Sequence, residues 1–267
     1  MTSLMDAELK IRLAFAHQLA DGARVVIRPY FRRRIEVTDK GPKGVFDPVT
    51  DADKGAERVM RDMIANNYPA DGIIGEEYDE RSGDSGFVWV LDPIDGTRAF
   101  IGGQPLWGTL IALERDGKPV MGILDQPFLD ERFTGAGGVT ELRSASSTER
   151  LKTRSCAGLA DALITTTHPM LHFKDPERQR YFDVEKRCRL SRYGGDCYGY
   201  ALLAMGFVDL VIETDLKRWD IAPLIPIIEG AGGVVTDWEG RLRSEGGNVI
   251  AAGDRRVHAE ALKILNG

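Results

Sequence analysis

The feature that most constrains this chain is a continuous apolar run over residues 87–91 that leads into two aspartates, Asp92 and Asp95. The surrounding stretch, residues 86–100, is GFVWVLDPIDGTRAF. An apolar run of this length predicts a strand that is buried on both faces. Ionised carboxylates are rarely buried without a partner, so the end of this strand requires positive charge.

Helical and strand patterns follow one another along the rest of the chain. Apolar residues at helical spacing predict helices over about 6–27, from the segment 47–53 to about 66, and over 176–186, 197–205 and 255–265. Short apolar runs predict strands over 73–75, 107–113, 120–124, 162–167, 189–193, 207–213, 234–237 and 248–252. Asp116 and Gly117 predict a hairpin turn, and the composition of 40–44 predicts a loop. Trp219 and Asp220 open another predicted helix, which Pro226 should kink or delay.

Composition argues against several classes of function. The 267 residues carry a net charge of −6, which disfavours nucleic-acid binding because that requires a basic face. No apolar stretch approaches the roughly 18 residues of a membrane-spanning helix, and the N-terminus is charged too early for a secretory signal. The three cysteines form no C-x-x-C pair, so neither a disulfide framework nor a zinc site is predicted. We therefore expect a cytoplasmic protein that binds neither nucleic acid nor membranes.

Further carboxylates occur at the ends of predicted elements. Glu76 and Glu77 end a strand, Asp220 opens a helix, and Asp53 lies at the start of another. Any one of them, Asp92 and Asp95 included, has an alternative explanation as a helix cap or a solvated charge. Two aspartates as close as Asp92 and Asp95 raise each other's pKa unless a cation lies between them. Because no histidine or cysteine accompanies these residues, the set favours Mg²⁺, Mn²⁺ or Ca²⁺ over zinc or copper.

The same stretch offers a site for an anion. Asp95, Gly96 and Thr97 precede a predicted helix, whose first N–H groups attract negative charge. Glycine at position 96 lets a ligand approach the backbone closely. Metal-binding carboxylates beside such a helix start are what metal-assisted hydrolysis of a phosphate ester requires.

These segments, in their order and spacing, resemble the inositol monophosphatase family of Mg²⁺-dependent, lithium-sensitive phosphatases. The matching segments are DPVTDAD (47–53), IIGEE (73–77), WVLDPIDGT (89–97) and RWDIA…EGAGGVV (218–235), which together span about 190 residues. The resemblance implies a layered α-β-α-β-α sandwich. This agrees with the residue patterns, which predict an α/β protein with an α+β half over residues 1–145 and an α/β half over residues 146–267.

The resemblance also implies roles for individual residues. Glu76, Asp92, Asp95 and Asp220 would bind two or three Mg²⁺ ions, for which Mn²⁺ could substitute, with the carbonyl of Ile94 as a further ligand and Asp92 as a bridge. Catalysis would rest on Asp53, Glu76 and Thr97, with Asp53 and Thr97 orienting the attacking water. Gly96 and Thr97 would hold the phosphate through backbone N–H groups, and Asp95 and Asp220 would also face the substrate. Lys43 lies on a loop that aligns only loosely with the site. Residues 1–145 would thus carry most metal ligands, and residues 146–267 would carry Asp220 and the specificity residues.

Two segments, 95–113 and 192–213, are more similar to the histidinol-phosphatase branch of the family. The inositol branch has asparagine where this chain has Ala99, and it lacks the Gly-Gly-Asp-Cys-Tyr run at 194–198. Histidinol phosphate carries an ammonium group, whereas inositol phosphate presents hydroxyls. Asp196 and Glu213 could supply charge for that ammonium. Asp196 has an alternative role as a helix cap, and Glu213 as a strand-end carboxylate, although the resemblance implies that Glu213 contacts the substrate.

The sequence thus predicts a cytoplasmic Mg²⁺-dependent phosphomonoesterase, a homodimer by resemblance, that hydrolyses L-histidinol phosphate in histidine biosynthesis by metal-activated water attack. The alternatives are an inositol monophosphatase and a phosphatase of adenosine bisphosphates. A catalytically silent binding protein is a third possibility, but it should have lost at least one ligand, and the four metal carboxylates are all present with Asp53 and Thr97.

Overall fold

The computed structural model describes residues 7–34, 36–39, 48–241 and 244–267. The N-terminal half of the chain contains α1 (Ala7–Ile27), β1 (Thr38–Asp39), β2 (Pro48–Val49), α2 (Asp51–Asn67), β3 (Gly72–Gly75), β4 (Phe87–Asp95), α3 (Thr97–Ile101), β5 (Gly108–Arg115), β6 (Lys118–Gln126), β7 (Glu131–Ala136), β8 (Val139–Arg143) and β9 (Thr148–Arg150). The C-terminal half contains a 3₁₀ turn (Leu159–Asp161), β10 (Leu163–Thr166), α4 (Pro169–His172), α5 (Glu177–Glu185), β11 (Leu190–Tyr193), α6 (Asp196–Ala204), β12 (Leu210–Lys217), α7 (Arg218–Ile221), α8 (Leu224–Gly230), β13 (Val234–Asp237), β14 (Gly246–Ala252) and α9 (Arg255–Asn266). The predicted loop 40–44, Lys43 included, lies outside the described residues.

These elements form five layers in which helices and sheets alternate. Helices α1 and α2 cover one face of a seven-stranded sheet in the order β3-β4-β5-β6-β7-β8-β9, where β3 is parallel to β4 and the other pairs are antiparallel. Helices α6 and α8 fill the space between this sheet and a five-stranded sheet in the order β11-β10-β12-β14-β13. Helices α5 and α9 cover the outer face of the second sheet. The α-β-α-β-α sandwich is therefore confirmed.

Strand β4 owes its continuous apolar run to burial on both faces. Trp89 and Leu91 pack in the core beneath α1 and α2, whereas Val90 packs with Ala222 on the opposite face. The strand is longer than predicted, because it continues through both aspartates to residue 95. Its register with β5 shifts between Asp92 and Asp95, which is the mark of a bulge.

The sequence patterns did not identify strands β7, β8 and β9. Arg132 in β7 is completely buried, where its Nε donates to the Asp125 carboxylate at 2.6 Å. Gly135, also in β7, lies so close to α8 that a Cβ there would be 2.4 Å from the backbone of Pro226. A buried arginine and an obligatory glycine interrupt the apolar alternation that identifies a strand.

The segment from Arg218 to Gly230 forms two short helices, because the expected helix is interrupted at Pro223, the N-cap residue of α8. The break therefore precedes Pro226, which lies in the first turn of α8. Strand β12 begins at Leu210 and ends at Lys217, so it lies several residues later than predicted. Helix α8 packs on β6, β7 and β8, so an element of the C-terminal half covers the sheet of the N-terminal half. The boundary near residue 145 stays a prediction. None of the helices within the described ranges is long and apolar enough to cross a membrane.

Candidate active site

Three carboxylates meet where β4 ends beside α7. Asp92, Asp95 and Asp220 each offer an oxygen, and these oxygens lie within 4.8 Å of one another. Asp92 is buried, and the other two are half-buried. Side chains that are about 125 residues apart in sequence are thus brought together by the packing of α7 against β4.

Backbone N–H groups hold one oxygen of each carboxylate. The N–H of Cys197 donates to Asp95 Oδ2 at 2.7 Å, and the N–H of Lys217 donates to Asp220 Oδ2 at 2.7 Å. The N–H of Ile94 donates to Asp92 Oδ1 at 3.0 Å. The capping alternative is therefore correct for Asp220, which caps α7, whereas neither Asp92 nor Asp95 caps the helix α3 that follows them. None of these bonds separates the three charges.

The electrostatics of this cluster favour a bound cation. Burial, followed by the charges of Glu76, Asp95 and Asp220, raises the pKa of Asp92 well above its ordinary value. Burial and the charge of Asp95 likewise raise the pKa of Asp220, and burial raises the pKa of Asp95. Carboxylates that resist ionisation for these reasons are relieved by a cation among them. The donor set is made of oxygen alone, which suits Mg²⁺.

Glu76, which directly follows β3, lies beside this carboxylate cluster. It lines a cleft of about 460 Å³ together with Asp95 and Asp220. The carboxylate of Glu57, which is fully buried, fixes the backbone next to Glu76. It accepts a hydrogen bond from the Glu77 N–H at 2.8 Å and another from the Nε–H of Arg61 at 2.7 Å. Sequence patterns did not single out Glu57, although it lies four residues after Asp53 and so on the same helix face.

Asp53 lies in the first turn of α2 and is buried. Its Oδ2 accepts the N–H of Thr50 at 2.8 Å and the Thr50 hydroxyl at 2.5 Å. Its Oδ1 is buried and has no hydrogen-bond partner within the described residues of the chain. Burial raises the pKa of Asp53 to about 6 against the hydrogen bonds from Thr50, with smaller contributions from Glu77 and Glu76. A basic oxygen near neutral pH that lacks a donor is suited to a water molecule.

Thr97 and Gly96 follow β4 directly. The Thr97 hydroxyl donates to the Ile94 carbonyl at 3.0 Å, so the predicted carbonyl ligand already accepts one hydrogen bond and keeps a second lone pair. Gly96 has φ +82°, and a Cβ there would lie 3.2 Å from both the Leu106 carbonyl oxygen and the Trp107 Cα. Helix α3 has only five residues, so its backbone N–H groups, rather than a long helix dipole, would attract an anion.

Asp196 and Glu213 line the cleft beside this cluster. Asp196 begins α6 at φ +43°, a strained conformation for a residue with a side chain. Burial, then the charges of Asp95 and Glu213, raises its pKa to about 8. Glu213 is buried, and its carboxylate accepts the hydroxyl of Thr166 at 3.0 Å and the N–H and hydroxyl of Thr167 at 2.6 and 2.9 Å. Burial raises the pKa of Glu213 to about 7 against these bonds.

The cleft also contains residues that sequence reasoning missed. Arg98, His172, Lys217 and Trp219 all line it. Arg98 is exposed on α3 and follows Thr97 directly, where a cation could face a phosphate. The only sequence signal for Arg98 was its place beside the Gly96-Thr97 turn.

The sequence matches a known protein family along almost its whole length. The model of the inositol monophosphatase family matches residues 8–266. A chloroplast protein of Arabidopsis thaliana, named bifunctional phosphatase IMPL2, is 45% identical over 99% of this chain and 78% of its own length. A histidinol-phosphatase of Chlorobaculum parvum is 35% identical over 86% of each chain.

Solved structures show the same fold. The structure of an inositol monophosphatase from Zymomonas mobilis has a TM-score of 0.85 and 45% sequence identity, and the match covers 98% of this chain and 100% of that one. Relatives named for histidinol phosphate and for inositol phosphate therefore both resemble this chain, so their names alone do not identify its substrate.

Proposed function

The chain belongs to the inositol monophosphatase family and is a phosphoric monoester hydrolase, and we propose that it uses Mg²⁺ to hydrolyse L-histidinol phosphate to L-histidinol and phosphate. The observation that carries this proposal is the pair Asp196 and Glu213 in the cleft beside the proposed metal carboxylates. A phosphate and its metal ions are common to all monoesters. The alcohol half must therefore supply the discrimination, and an ammonium group complements the half-buried Asp196 and the buried Glu213.

The proposed roles follow the geometry of the site. Glu76, Asp92, Asp95, Asp220 and the Ile94 carbonyl would hold two or three Mg²⁺ ions, and Mn²⁺ could replace them. Bound metal would neutralise the carboxylates, polarise the phosphate oxygens and acidify the attacking water. The Oδ1 of Asp53 and the hydroxyl of Thr97 would orient that water. The backbone N–H groups of Gly96 and Thr97 would bind the phosphate.

An inositol monophosphatase is the second candidate, because the Zymomonas mobilis structure of that name is 45% identical to this chain. An adenosine bisphosphate phosphatase is a weaker alternative that no specific contact favours. We also propose a homodimer in the cytoplasm, from the family resemblance and the cysteine content. Light scattering would test the first point, and localisation of a fluorescent fusion would test the second.

The test of the substrate compares kcat/KM for L-histidinol phosphate, inositol monophosphates and an adenosine bisphosphate under the same Mg²⁺ concentration. We expect histidinol phosphate to have the highest value. A higher kcat/KM for an inositol phosphate would contradict the proposal and favour the second candidate.

A second test removes one charge at a time. Asp196→Asn and Glu213→Gln keep the shape of each side chain and remove a charge-assisted hydrogen bond. This loss should cost about 1.5–3 kcal/mol, which corresponds to about a ten- to hundredfold lower kcat/KM for histidinol phosphate. A small phosphomonoester without an amine should be affected much less. Equal losses on both substrates would mean that these residues serve folding or general catalysis.

A further inference from the structure

A second, much smaller cavity adjoins the cleft on the side of α6. It has a volume of about 20 Å³, and its lining includes four carboxylates and Tyr200 beside Thr167, Cys197, Leu216 and Leu224. Those carboxylates are Asp95, Asp196, Glu213 and Asp220, all of which also line the main cleft. A polar space of this size holds one water-sized group.

Tyr200 gives this cavity a second polar feature that is independent of the acids. The side chain is only 3% exposed and packs in the core between the two sheets. Its hydroxyl is buried and makes no hydrogen bond within the portion of the chain that the structure describes. A buried hydroxyl without a partner is unfavourable, because it has lost its hydrogen bonds to water. A group that hydrogen-bonds to it would therefore remove that cost.

We propose that this cavity receives the ammonium group of the substrate, which donates one hydrogen bond to Tyr200 Oη while Asp196 and Glu213 supply the opposite charge. The proposal rests on the proposed function, and it adds Tyr200 as a residue that determines specificity. An ammonium group has about the size of a water molecule and brings three N–H donors. A water molecule could satisfy the hydroxyl, but it would leave the half-buried Asp196 and the buried Glu213 without a counter-charge.

The contacts around the acids support this assignment. The threonine donors orient Glu213 without neutralising it, since all three come from uncharged groups. Burial, followed by the charge of Glu213, raises the pKa of Tyr200, so the phenol keeps its proton. A neutral phenol can donate to a carboxylate and accept from a cation at the same time.

The test uses two variants on the same helix and two substrates that differ by one amino group. Tyr200→Phe removes only the hydroxyl in the cavity. Tyr198→Phe is the matched control, because the Tyr198 hydroxyl instead donates to Glu131 at 2.5 Å. The substrates are L-histidinol phosphate and 3-(imidazol-4-yl)propyl phosphate, which lacks the amine.

We expect Tyr200→Phe to lower kcat/KM for histidinol phosphate about tenfold, mainly through KM. The value for the amine-free substrate should change less than about twofold, and Tyr198→Phe should leave the ratio between the two substrates as it is in the wild type. Equal losses on both substrates, or no loss on either, would overturn the assignment of Tyr200 and leave the proposed function intact. Failure of the wild type to hydrolyse histidinol phosphate would overturn both.

A measurement on the wild type covers the case in which Tyr200→Phe does not fold. L-histidinol and 3-(imidazol-4-yl)propan-1-ol are compared as product inhibitors in the presence of phosphate. We expect the amine to tighten inhibition about tenfold or more. Equal inhibition by the two alcohols would contradict an ammonium site.

Discussion

The charge of Asp92 is strongly opposed by its surroundings. It is buried, and three other carboxylates oppose its ionisation. Asp92→Asn removes one of these charges and keeps the size of the side chain. We expect turnover to fall at least about a hundredfold, beyond the usual effect of losing an outer partner of a metal ligand. We also expect the metal-free protein to become more stable, by an amount on the order of 1 kcal/mol.

The measurement pairs steady-state kinetics with urea unfolding in the presence of a chelator. Asp51→Asn is the control, because Asp51 is an exposed carboxylate at the start of α2. If Asp92→Asn kept near-normal turnover at ordinary Mg²⁺ concentrations, or lost stability strongly, the residue would be a structural cap instead.

The side chains of this site differ in how far sequence can reveal them. Asp92 and Asp220 were predicted because a carboxylate at the end of a buried strand or the start of a helix already implies a partner. Tyr200 and Glu57 were not, because a tyrosine or a glutamate within a helix has no distinctive pattern. Their importance depends on what packs against them, such as the backbone of Glu77 against the Glu57 carboxylate.

Sequence patterns predicted the long and regular helices and strands. They failed to predict a strand where contacts with other elements, rather than strand propensity, determine the residue types. Helices α1 and α2 and the hairpin of β5 and β6 were predicted, since each has a regular apolar period. Strand β7 was not predicted, because Arg132 contacts α1 and Gly135 packs against α8, and neither residue fits the apolar alternation of a strand. Packing against α8 also requires glycine at position 122 in β6, because a Cβ there would lie 1.9 Å from the Pro223 carbonyl oxygen at the start of α8.

The contact between α1 and β7 predicts a dependence of stability on pH. His17 in α1 lies beside Arg132, whose Nη1 donates to the His17 carbonyl at 3.2 Å. Burial, then the charge of Arg132, lowers the pKa of His17 to about 4. The fold therefore favours neutral His17, and its contribution is complete above the unfolded pKa of about 6.5. As pH falls from about 6.5 to 4, the unfolded chain binds the proton first and stability is lost.

We expect His17→Gln to lose less free energy of unfolding than the wild type over this pH window. The difference should be on the order of 1–2 kcal/mol, after allowance for the partial exposure of the ring. Urea unfolding at pH 7, 5.5 and 4.5 gives this difference directly. Parallel curves for the two proteins would show that His17 titrates normally in the folded state.

The carboxylates of the proposed metal site come from both sheets of the molecule. Metal binding should therefore stabilise the entire fold. Asp92 and Asp95 come from the seven-stranded sheet, whereas Asp220 follows the strand β12 of the five-stranded sheet. A cation among them would link these two layers and relieve the repulsion that raises the three pKa values. The layered sandwich was implied by the family resemblance, whereas the residue patterns alone predicted an α/β protein in two halves. The carboxylates at the ends of predicted elements suggested an all-oxygen site, but their distances from one another depend on the packing of α7 against β4.

The last prediction is that Mg²⁺ both activates and stabilises the protein. Exhaustive chelation should abolish phosphatase activity, and added Mg²⁺ should restore it. A ligand that binds only the folded state stabilises it by RT ln(1 + [L]/Kd), which is about 2.7 kcal/mol at 100 times Kd. Thermal unfolding should therefore shift upward with Mg²⁺ concentration, and the shift should shrink in Asp92→Asn, with K⁺ at equal ionic strength as the control. Full activity in protein shown to be free of metal would refute the metal site.

The resemblance to a lithium-sensitive family also predicts that Li⁺ inhibits turnover. The measurement is the rate of phosphate release as Li⁺ concentration rises. A rate that does not change with Li⁺ would contradict the chemistry that the resemblance implies.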